Sequence, residues 1–167
     1  RWDADLFDLV QEGRLIQAGP AQNRYRVVRF ERALSGILTE LLATWQIIHI
    51  VADGLAEAES TKRGLPADLQ SRYLPYAFLH GGEMEEALVA ADLLLGRAGA
   101  STLAEAAALG LPSIIVPYPY AGGHQRANAK ELAAVGGAIV IDDAALTPEI
   151  LLREVAQMSE AAVRQRV

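Results

Sequence analysis

The sequence predicts an α/β domain built on a Rossmann-like, doubly wound parallel sheet. Short, almost continuously apolar segments, such as residues 93–95 and 113–116, alternate with amphipathic segments of about ten residues. Strands that are apolar along their whole length are typical of parallel sheets that are covered by helices on both faces. Glycine and polar residues cluster where these segments end, which is the edge at which such sheets bind ligands.

The first half of the chain predicts a less regular series of elements than the second half. We expect residues 1–24 to form an N-terminal helix over residues 3–10 and a Gly/Pro-bearing connector over residues 12–23. The domain itself is predicted for residues 25–167. Its first elements are expected to be a strand over 25–30, a helix over 31–44, a strand over 45–52, a helical or irregular stretch over 53–73 and a strand over 75–79.

The second half alternates regularly between helices and strands. Gly110 and Pro112 end one predicted helix, a glycine pair at 136–137 ends another, and Thr147 caps the start of the last, with Pro148 at its first position. The predicted elements are a helix over 83–91, a strand over 92–96, a helix over 102–109, a strand over 113–116, a helix over 125–135, a strand over 138–141 and a helix from 147 to about 164.

Composition excludes several classes of protein. The 167-residue chain is 51% hydrophobic and 22% charged, which is ordinary for a packed domain and unlike a disordered segment. It has no cysteine, so disulfides and thiolate zinc sites are excluded. A formal net charge of −6 argues against a nucleic-acid partner. No apolar run reaches the roughly 18 residues that span a bilayer, and the start at Arg1-Trp2 predicts a fragment of a longer protein.

The segment RAGASTLAE, residues 97–105, is the most informative feature of the chain. It connects a predicted strand to a predicted helix and contains Gly99, Ala100, Ser101 and Thr102. Backbone N–H groups at such a helix start, together with the helix dipole, favour an anion, and we predict a nucleotide diphosphate there. Thr102 and Glu105 also have the spacing of a capping box, which is the purely structural alternative. A glutamate beside an anion site can instead accept hydrogen bonds from sugar hydroxyls.

Two further turns lie at the same edge of the predicted sheet. Prolines and a glycine pair lead from the strand over 113–116 into a helix whose first turn contains His124 and Gln125. Gln125 and Asn128 share a helix face, so their amides are candidates to bind sugar hydroxyls, with a solvated helix start as the alternative. The turn at Leu79 is interpreted either as a main-chain site for a base edge or as a surface loop.

Two polar features are expected to have structural roles. His49 lies between two isoleucines in a predicted strand, and Asp142-Asp143 is interpreted as a charged turn. The sequence contains no Walker loop, serine nucleophile elbow or paired-histidine zinc motif, and no metal site is predicted.

Residues 91–119 (ADLLLGRAGASTLAEAAALGLPSIIVPYP) and 124–129 (HQRANA) closely resemble the MurG family in order, spacing and residue type. Members of this family are bacterial transferases that add N-acetylglucosamine from a UDP donor to lipid I, which gives lipid II for peptidoglycan. The resemblance implies one half of a GT-B fold, in which two Rossmann-like domains enclose the active site. It also implies that this chain is the C-terminal, donor-binding domain, without the N-terminal acceptor domain. The full-length protein would lie at the cytoplasmic face of the inner membrane.

The resemblance also implies roles for residues of the three turns. Glu105 would bind the ribose hydroxyls of UDP-N-acetylglucosamine, and the main chain at Leu79 would meet the uracil. The backbone positions implied to hold the diphosphate are Ala100, Ser101 and Thr102, next to Gly99. The residues implied to contact the N-acetylglucosamine or to support its loop are Gln125, His124 and Asn128. No cofactor, metal or catalytic base is assigned to this chain.

The segment after the first predicted strand departs from the family pattern. The resemblance implies a Gly-Gly-Ser-type loop at that point, where the phosphates would gain further contacts. Residues 28–33 contain no glycine, and Gly36 lies well inside the next predicted helix.

Two other functions stay open on the sequence. One is a UDP-N-acetylglucosamine epimerase of similar architecture, although those enzymes carry an acidic segment where this chain has residues 124–128. The other is a non-catalytic nucleotide-sugar-binding subunit that docks onto a membrane-bound partner.

Overall fold

One parallel sheet forms the centre of the molecule. The computed structural model describes residues 14–18, 27–119 and 123–165. The strands within these residues are β1 (Arg14–Ala18), β2 (Gln46–Ile50), β3 (Tyr73–Tyr76), β4 (Leu93–Gly96), β5 (Ser113–Ile115) and β6 (Ala138–Val140). They pair in the order β3-β2-β1-β4-β5-β6, and every pair is parallel. This is the strand order of a Rossmann fold, with its switch point between β1 and β4, and it confirms the predicted fold class.

Helices cover both faces of the sheet. They are α1 (Val27–Thr44), α2 (Leu55–Gly64), α3 (Ala67–Gln70), α4 (Gly82–Ala90), α5 (Ala100–Ala108), α6 (His124–Ala134) and α7 (Pro148–Gln165). Short 3₁₀ turns lie at Ala52–Gly54 and Asp143–Ala145. The N–H of Ile150 donates to the Thr147 hydroxyl at 3.3 Å, so the predicted cap of the last helix is confirmed.

The alternation of side chains along β4 shows how the two faces are filled. Leu93 and Leu95 point to one face, where they pack into the core cluster of α1 and α7, while Leu94 points to the other face and joins the cluster of α4 and α5. All three side chains are completely buried. The strand is therefore apolar at every position because a parallel sheet in this fold has no solvent-facing side.

The carboxyl ends of the strands lie in one row. The register pairs Tyr76 with Ile50, Ile50 with Ala18, Ala18 with Gly96, Gly96 with Ile115 and Ile115 with Val140. These are the last residues of the six strands. The loops that follow the strands therefore begin at the same level, and polar residues far apart in the chain reach one edge of the sheet.

The first strand is the main correction to the sequence analysis. Residues 14–18 form β1, inside the segment predicted as a connector, and residues 27–30 begin α1 where a strand was predicted. Val27 and Phe30 stand at the three-to-four-residue spacing of the buried Leu34, Ile37 and Leu38, so they extend a helical pattern despite their high β propensity. The helix predicted for residues 3–10 lies outside the described residues.

This correction changes which segment follows the first strand, where the resemblance implies further phosphate contacts. The segment of sequence between β1 and α1 is residues 19–26, and it begins with Gly19. It lies outside the described residues. The absence of glycine in residues 28–33 therefore no longer marks a departure from the family, because those residues belong to a helix.

The remaining elements lie within a few residues of the prediction. The largest shift is in β3, which was predicted over 75–79 and spans Tyr73–Tyr76. The strand includes Pro75, which lacks a backbone N–H, because β3 is an edge strand of the described sheet and one side of it needs no pairing. His49 is buried in β2, where its Nδ1 lies 2.6 Å from the Tyr73 hydroxyl, so its predicted structural role is confirmed.

Candidate functional site at the carboxyl edge of the sheet

The turn between β4 and α5 lies at the switch point of the sheet. Gly99 is the N-cap residue, and no side chain caps this helix start. The first N–H group of the helix to reach a backbone carbonyl is that of Leu103, which donates to Gly99 at 3.0 Å. The N–H groups of Ala100, Ser101 and Thr102 precede it, so they lack intrahelical acceptors and are available to an anion.

The structure contradicts the capping-box interpretation of Glu105. A capping box requires Thr102 to precede the helix, but α5 begins two residues earlier, at Ala100. Glu105 is therefore the sixth residue of the helix, and its side chain is exposed. Its carboxylate has no role at the helix start and is free to face a ligand on the surface.

Gln125 connects the turn after β4 with the loop after β5. Its Oε1 accepts hydrogen bonds from the N–H of Ala98 at 3.2 Å and from the N–H of Tyr118 at 2.8 Å. Because both partners are N–H donors, the oxygen and nitrogen of this amide are distinguished. Both lone pairs of the oxygen are engaged, so Gln125 offers a ligand its Nε2 donor group and not the paired donor and acceptor that the sequence suggested.

Asn128 supports the same turn from the next position along the helix face. Its Nδ2 group donates to the carbonyl oxygen of Ala98 at 3.4 Å. The two amide side chains of α6 thus hold both backbone groups of Ala98, one residue before Gly99. His124 is exposed at the start of the helix.

Arg97 is a functional candidate that the sequence analysis did not identify. Its side chain is 4% exposed, and Nη1 donates to the Asp143 carboxylate at 2.6 Å and to the Val116 carbonyl at 3.1 Å. The guanidinium carbon also lies 5.9 Å from the centre of the Tyr118 ring, within cation–π range. A local signal was present, since Arg97 is the one charged residue between positions 93 and 104. Asp143 had no such signal; it was interpreted as part of a charged turn, and it begins the 3₁₀ turn at Asp143–Ala145.

The turn after β3 is closed by the first turn of α4. The N–H of His80 donates to the Glu83 carboxylate at 2.7 Å, and the N–H of Glu83 donates back to the His80 carbonyl at 3.1 Å.

Two aromatic residues lie close to this turn. Burial and, to a smaller extent, the Glu83 carboxylate raise the pKa of Tyr76 above its ordinary value. Phe78 is 48% exposed beside Leu79 and offers an aromatic face that the sequence analysis passed over.

Comparison with known proteins assigns the chain to a family. A family model described as the glycosyltransferase family 28 C-terminal domain matches residues 27–166. The chain belongs to this family. A curated relative from Mycobacterium bovis is named UDP-N-acetylglucosamine--N-acetylmuramyl-(pentapeptide) pyrophosphoryl-undecaprenol N-acetylglucosamine transferase. It is 42% identical over 130 residues, which make up 77% of this chain and 30% of the relative, so the chain spans less than a third of that protein.

Solved structures agree with the family assignment. The crystal structure of Acinetobacter baumannii MurG aligns with a TM-score of 0.68 and 28% identity, over 99% of this chain and 49% of that chain. A structure from Listeria monocytogenes, named as a UDP-N-acetylglucosamine 2-epimerase, aligns with a TM-score of 0.69 but only 14% identity, over 96% of this chain and 40% of that chain. The second likeness shows the shared fold alone. The resemblance to MurG found in the sequence is confirmed.

In this glycosyltransferase family 28 domain, hydrogen bonds connect the predicted site residues after β4 with those at the start of α6, whereas Leu79 lies at a distance from them. The turn of Gly99 to Thr102 is joined through Ala98 to Gln125 and Asn128. Leu79 follows β3, which is separated from β4 by β2 and β1, so three strand spacings of about 4.8 Å each, roughly 14 Å in total, lie between the two turns. Among the described residues, no group of three or more His, Asp or Glu side chains could hold a metal ion.

Gly123, which precedes α6, provides a test of the backbone conformation at the start of that helix. Gly123 has φ of +83°, a left-handed conformation that costs other residues about 1–2 kcal/mol. We expect Gly123→Ala to lower the free energy of unfolding by about 1 kcal/mol in urea denaturation. The matched control is Gly82→Ala, at the first position of α4, where a Cβ would meet no atom within 4 Å and φ is not positive. Equal stability of the two variants would contradict the left-handed conformation of Gly123.

Proposed function

We propose that this chain is the donor-binding domain of an inverting, metal-independent glycosyltransferase that transfers N-acetylglucosamine from UDP-N-acetylglucosamine to lipid I, forming lipid II. The observation that carries the proposal is the start of α5, where free N–H groups lie at the switch point of a Rossmann-type sheet. The family assignment and the name of the curated relative support the identity of the donor and the acceptor.

The proposed donor lies along the carboxyl edge of the sheet. Its diphosphate binds the N–H groups at the start of α5, and Glu105 accepts hydrogen bonds from the ribose hydroxyls. The uracil reaches the main chain at Leu79, where Phe78 offers an exposed ring for stacking. Gln125 donates its Nε2 group to the sugar, and Asn128 and His124 complete that side of the site. The separation of roughly 14 Å between the two turns suits a ligand as extended as a nucleotide.

The proposed reaction is a direct displacement at the anomeric carbon. A hydroxyl of the acceptor sugar attacks, the bond to the diphosphate oxygen breaks, and UDP leaves with its negative charge held at the start of α5. Such fixed N–H donors stabilise developing charge without reorganisation during the reaction. The general base and the acceptor site belong to the other domain of the GT-B fold, so we assign no catalytic base to this chain.

The acceptor determines where the full-length protein works. Lipid I is a membrane lipid, so we propose a peripheral protein at the cytoplasmic face of the inner membrane. None of the helices within the described residues has both the length and the apolar character required to cross a membrane.

Calorimetric titration with uridine, UMP and UDP tests the proposed site. Each phosphate added at the helix start gains dipole attraction and charge-assisted hydrogen bonds. We therefore expect UDP to bind at least about tenfold more tightly than UMP, a difference of roughly 1.4 kcal/mol, and uridine to bind most weakly. Equal affinities for the three ligands, or no binding of UDP at millimolar concentration, would contradict the placement of the diphosphate.

A turnover assay separates this proposal from its alternatives. With UDP-N-acetylglucosamine and a lipid I analogue, the isolated chain is expected to release no UDP, because the base and the acceptor site lie elsewhere. Conversion of UDP-N-acetylglucosamine to its 2-epimer would instead show an epimerase. Stable association with a separate membrane-bound chain in size-exclusion chromatography, with transfer restored in the complex, would show a two-chain enzyme.

A further inference from the structure

We propose that Asp143 is a positioning residue for the diphosphate-binding turn and that it acts through the buried side chain of Arg97. The inference rests on the proposed function, since it concerns the turn that would hold the diphosphate. It assigns a role in donor binding to the loop after β6, which contains none of the residues predicted to touch the donor.

The geometry places Arg97 over the end of β5, between the loops that follow β4 and β6. These two strands lie on either side of β5, so their ends are two strand spacings, or about 10 Å, apart. The side chains of Arg97 and Asp143 together span that distance, since Arg97 directly follows Gly96 and its Nη1 donates to the Asp143 carboxylate. On the way it binds the first carbonyl after β5, that of Val116. We call this set, together with Tyr118, the Arg97 junction.

The Arg97 junction has consequences for the backbone of the turn. Arg97 precedes Ala98, whose N–H and carbonyl are both held by α6, and Gly99 follows as the N-cap of α5. The Tyr118 N–H, on the other side of the junction, donates to the same Gln125 oxygen as the Ala98 N–H. A shift of Arg97 would therefore move Ala98 relative to Gln125 and change the direction of the N–H groups that follow.

The charge of Asp143 stabilises the buried position of Arg97. A guanidinium that is 4% exposed has lost most of its hydration, and a buried charge requires a partner of opposite sign. A guanidinium suits this position, because it is planar and its N–H groups can bind a carboxylate and a carbonyl while its face lies near a ring. If Asp143 became neutral, the guanidinium would be more stable when hydrated than when buried. Arg97 would then move toward solvent, and the diphosphate-binding turn would lose its fixed position.

The neighbouring aspartate provides a matched control. Asp142 also pairs with an arginine, Arg126, at 2.8 Å, but both side chains are more than half exposed, at 60% and 57%. Exposed pairs of this kind contribute little to structure. The two substitutions Asp143→Asn and Asp142→Asn therefore remove the same charge from adjacent residues, one from the Arg97 junction and one from the surface.

The experiment measures UDP affinity by calorimetry at a temperature where each variant is fully folded, together with the ¹H–¹⁵N resonances of residues 98–101. We expect Asp143→Asn to weaken UDP binding about tenfold and to shift these resonances, while Asp142→Asn stays within about twofold of the wild type. Asp143→Glu, which keeps the charge, should restore the affinity to within about threefold. Asp143→Ser, which is too short to reach Arg97, replaces Asp143→Asn if that variant does not fold, with the same expected loss.

Three results would overturn the inference. Wild-type UDP affinity and wild-type resonances in folded Asp143→Asn, even with a lower unfolding temperature, would show a contribution to stability alone. Tighter UDP binding in Asp143→Asn would show that the charge of Arg97 acts on the phosphates directly and that Asp143 opposes it. Equal losses in the Asp142 and Asp143 variants would show a general charge effect. If the wild type itself does not bind UDP, the proposed function fails, and the resonances of residues 98–101 still decide whether Asp143 positions the turn.

Discussion

Replacing Glu105 with alanine is expected to weaken UDP binding by about ten- to hundredfold without unfolding the protein. Hydrogen bonds to a charged group contribute about 1.5–3 kcal/mol, and each 1.4 kcal/mol corresponds to a factor of ten in affinity. The fold should be unaffected, because the Glu105 side chain is exposed and takes no part in capping the start of α5. Calorimetric titration of UDP measures the affinity, and urea denaturation measures the free energy of unfolding.

Two controls make this test specific to the ribose. Glu131→Ala removes another exposed glutamate, in the C-terminal half of α6, and should leave the UDP affinity within about twofold of the wild type. Titration with 2′-deoxy-UDP should show a large loss for the wild type and almost no further loss for Glu105→Ala, since a contact that is already absent cannot be lost again. A full further loss in Glu105→Ala would place the 2′-hydroxyl elsewhere.

The second large effect concerns Gln125, for which two substitutions separate two roles. Gln125→Glu keeps an oxygen that can accept from the N–H groups of Ala98 and Tyr118, but it loses the Nε2 donor. We therefore expect Gln125→Glu to abolish the preference for UDP-N-acetylglucosamine over UDP. Measuring the ratio of the two affinities cancels most of the repulsion between the new carboxylate and the diphosphate, which both ligands share.

Gln125→Met tests the role of the acceptor oxygen. It removes both the acceptor and the donor, so two backbone N–H groups lose their partner at a cost of about 1–3 kcal/mol each. We expect this variant to bind UDP at least tenfold more weakly and to unfold at lower urea concentration. If Gln125→Glu retained the sugar preference, the donor group of Gln125 would not contact the sugar, and the residue would act on the loops alone.

The position of the helix start decides how Glu105 is understood. From the sequence, Glu105 fits a capping box, because it stands three positions after Thr102, and it also fits a ligand-binding role, because it stands beside a predicted anion site. The structure begins α5 two residues before the predicted start, which leaves the first interpretation without a helix end to cap. Helix boundaries depend on how the preceding turn packs, and a sequence pattern leaves them uncertain by a few residues.

Local patterns were sufficient for most of the fold. Apolar runs such as residues 93–95 predict buried parallel strands, and glycine, proline and threonine mark the helix ends around them. They failed at the first strand because residues 25–30 have a stronger β propensity than residues 14–18, which form β1. The choice between these two segments depended on which of them could pair with β2 and β4. Pairing between distant strands is not visible in a local sequence pattern.

The amino-acid sequence alone determined the fold class, the three turns at the carboxyl edge and the resemblance to MurG, because each of them depends on residues that are close together in the chain. Only the tertiary structure revealed the pairing of Arg97 with Asp143, 46 residues apart, and the use of the Gln125 oxygen by two separate loops. The physical reason is that parallel strands bring their carboxyl ends to one edge of the sheet. The contacts that hold the turn between β4 and α5 therefore form between residues that are far apart in the sequence.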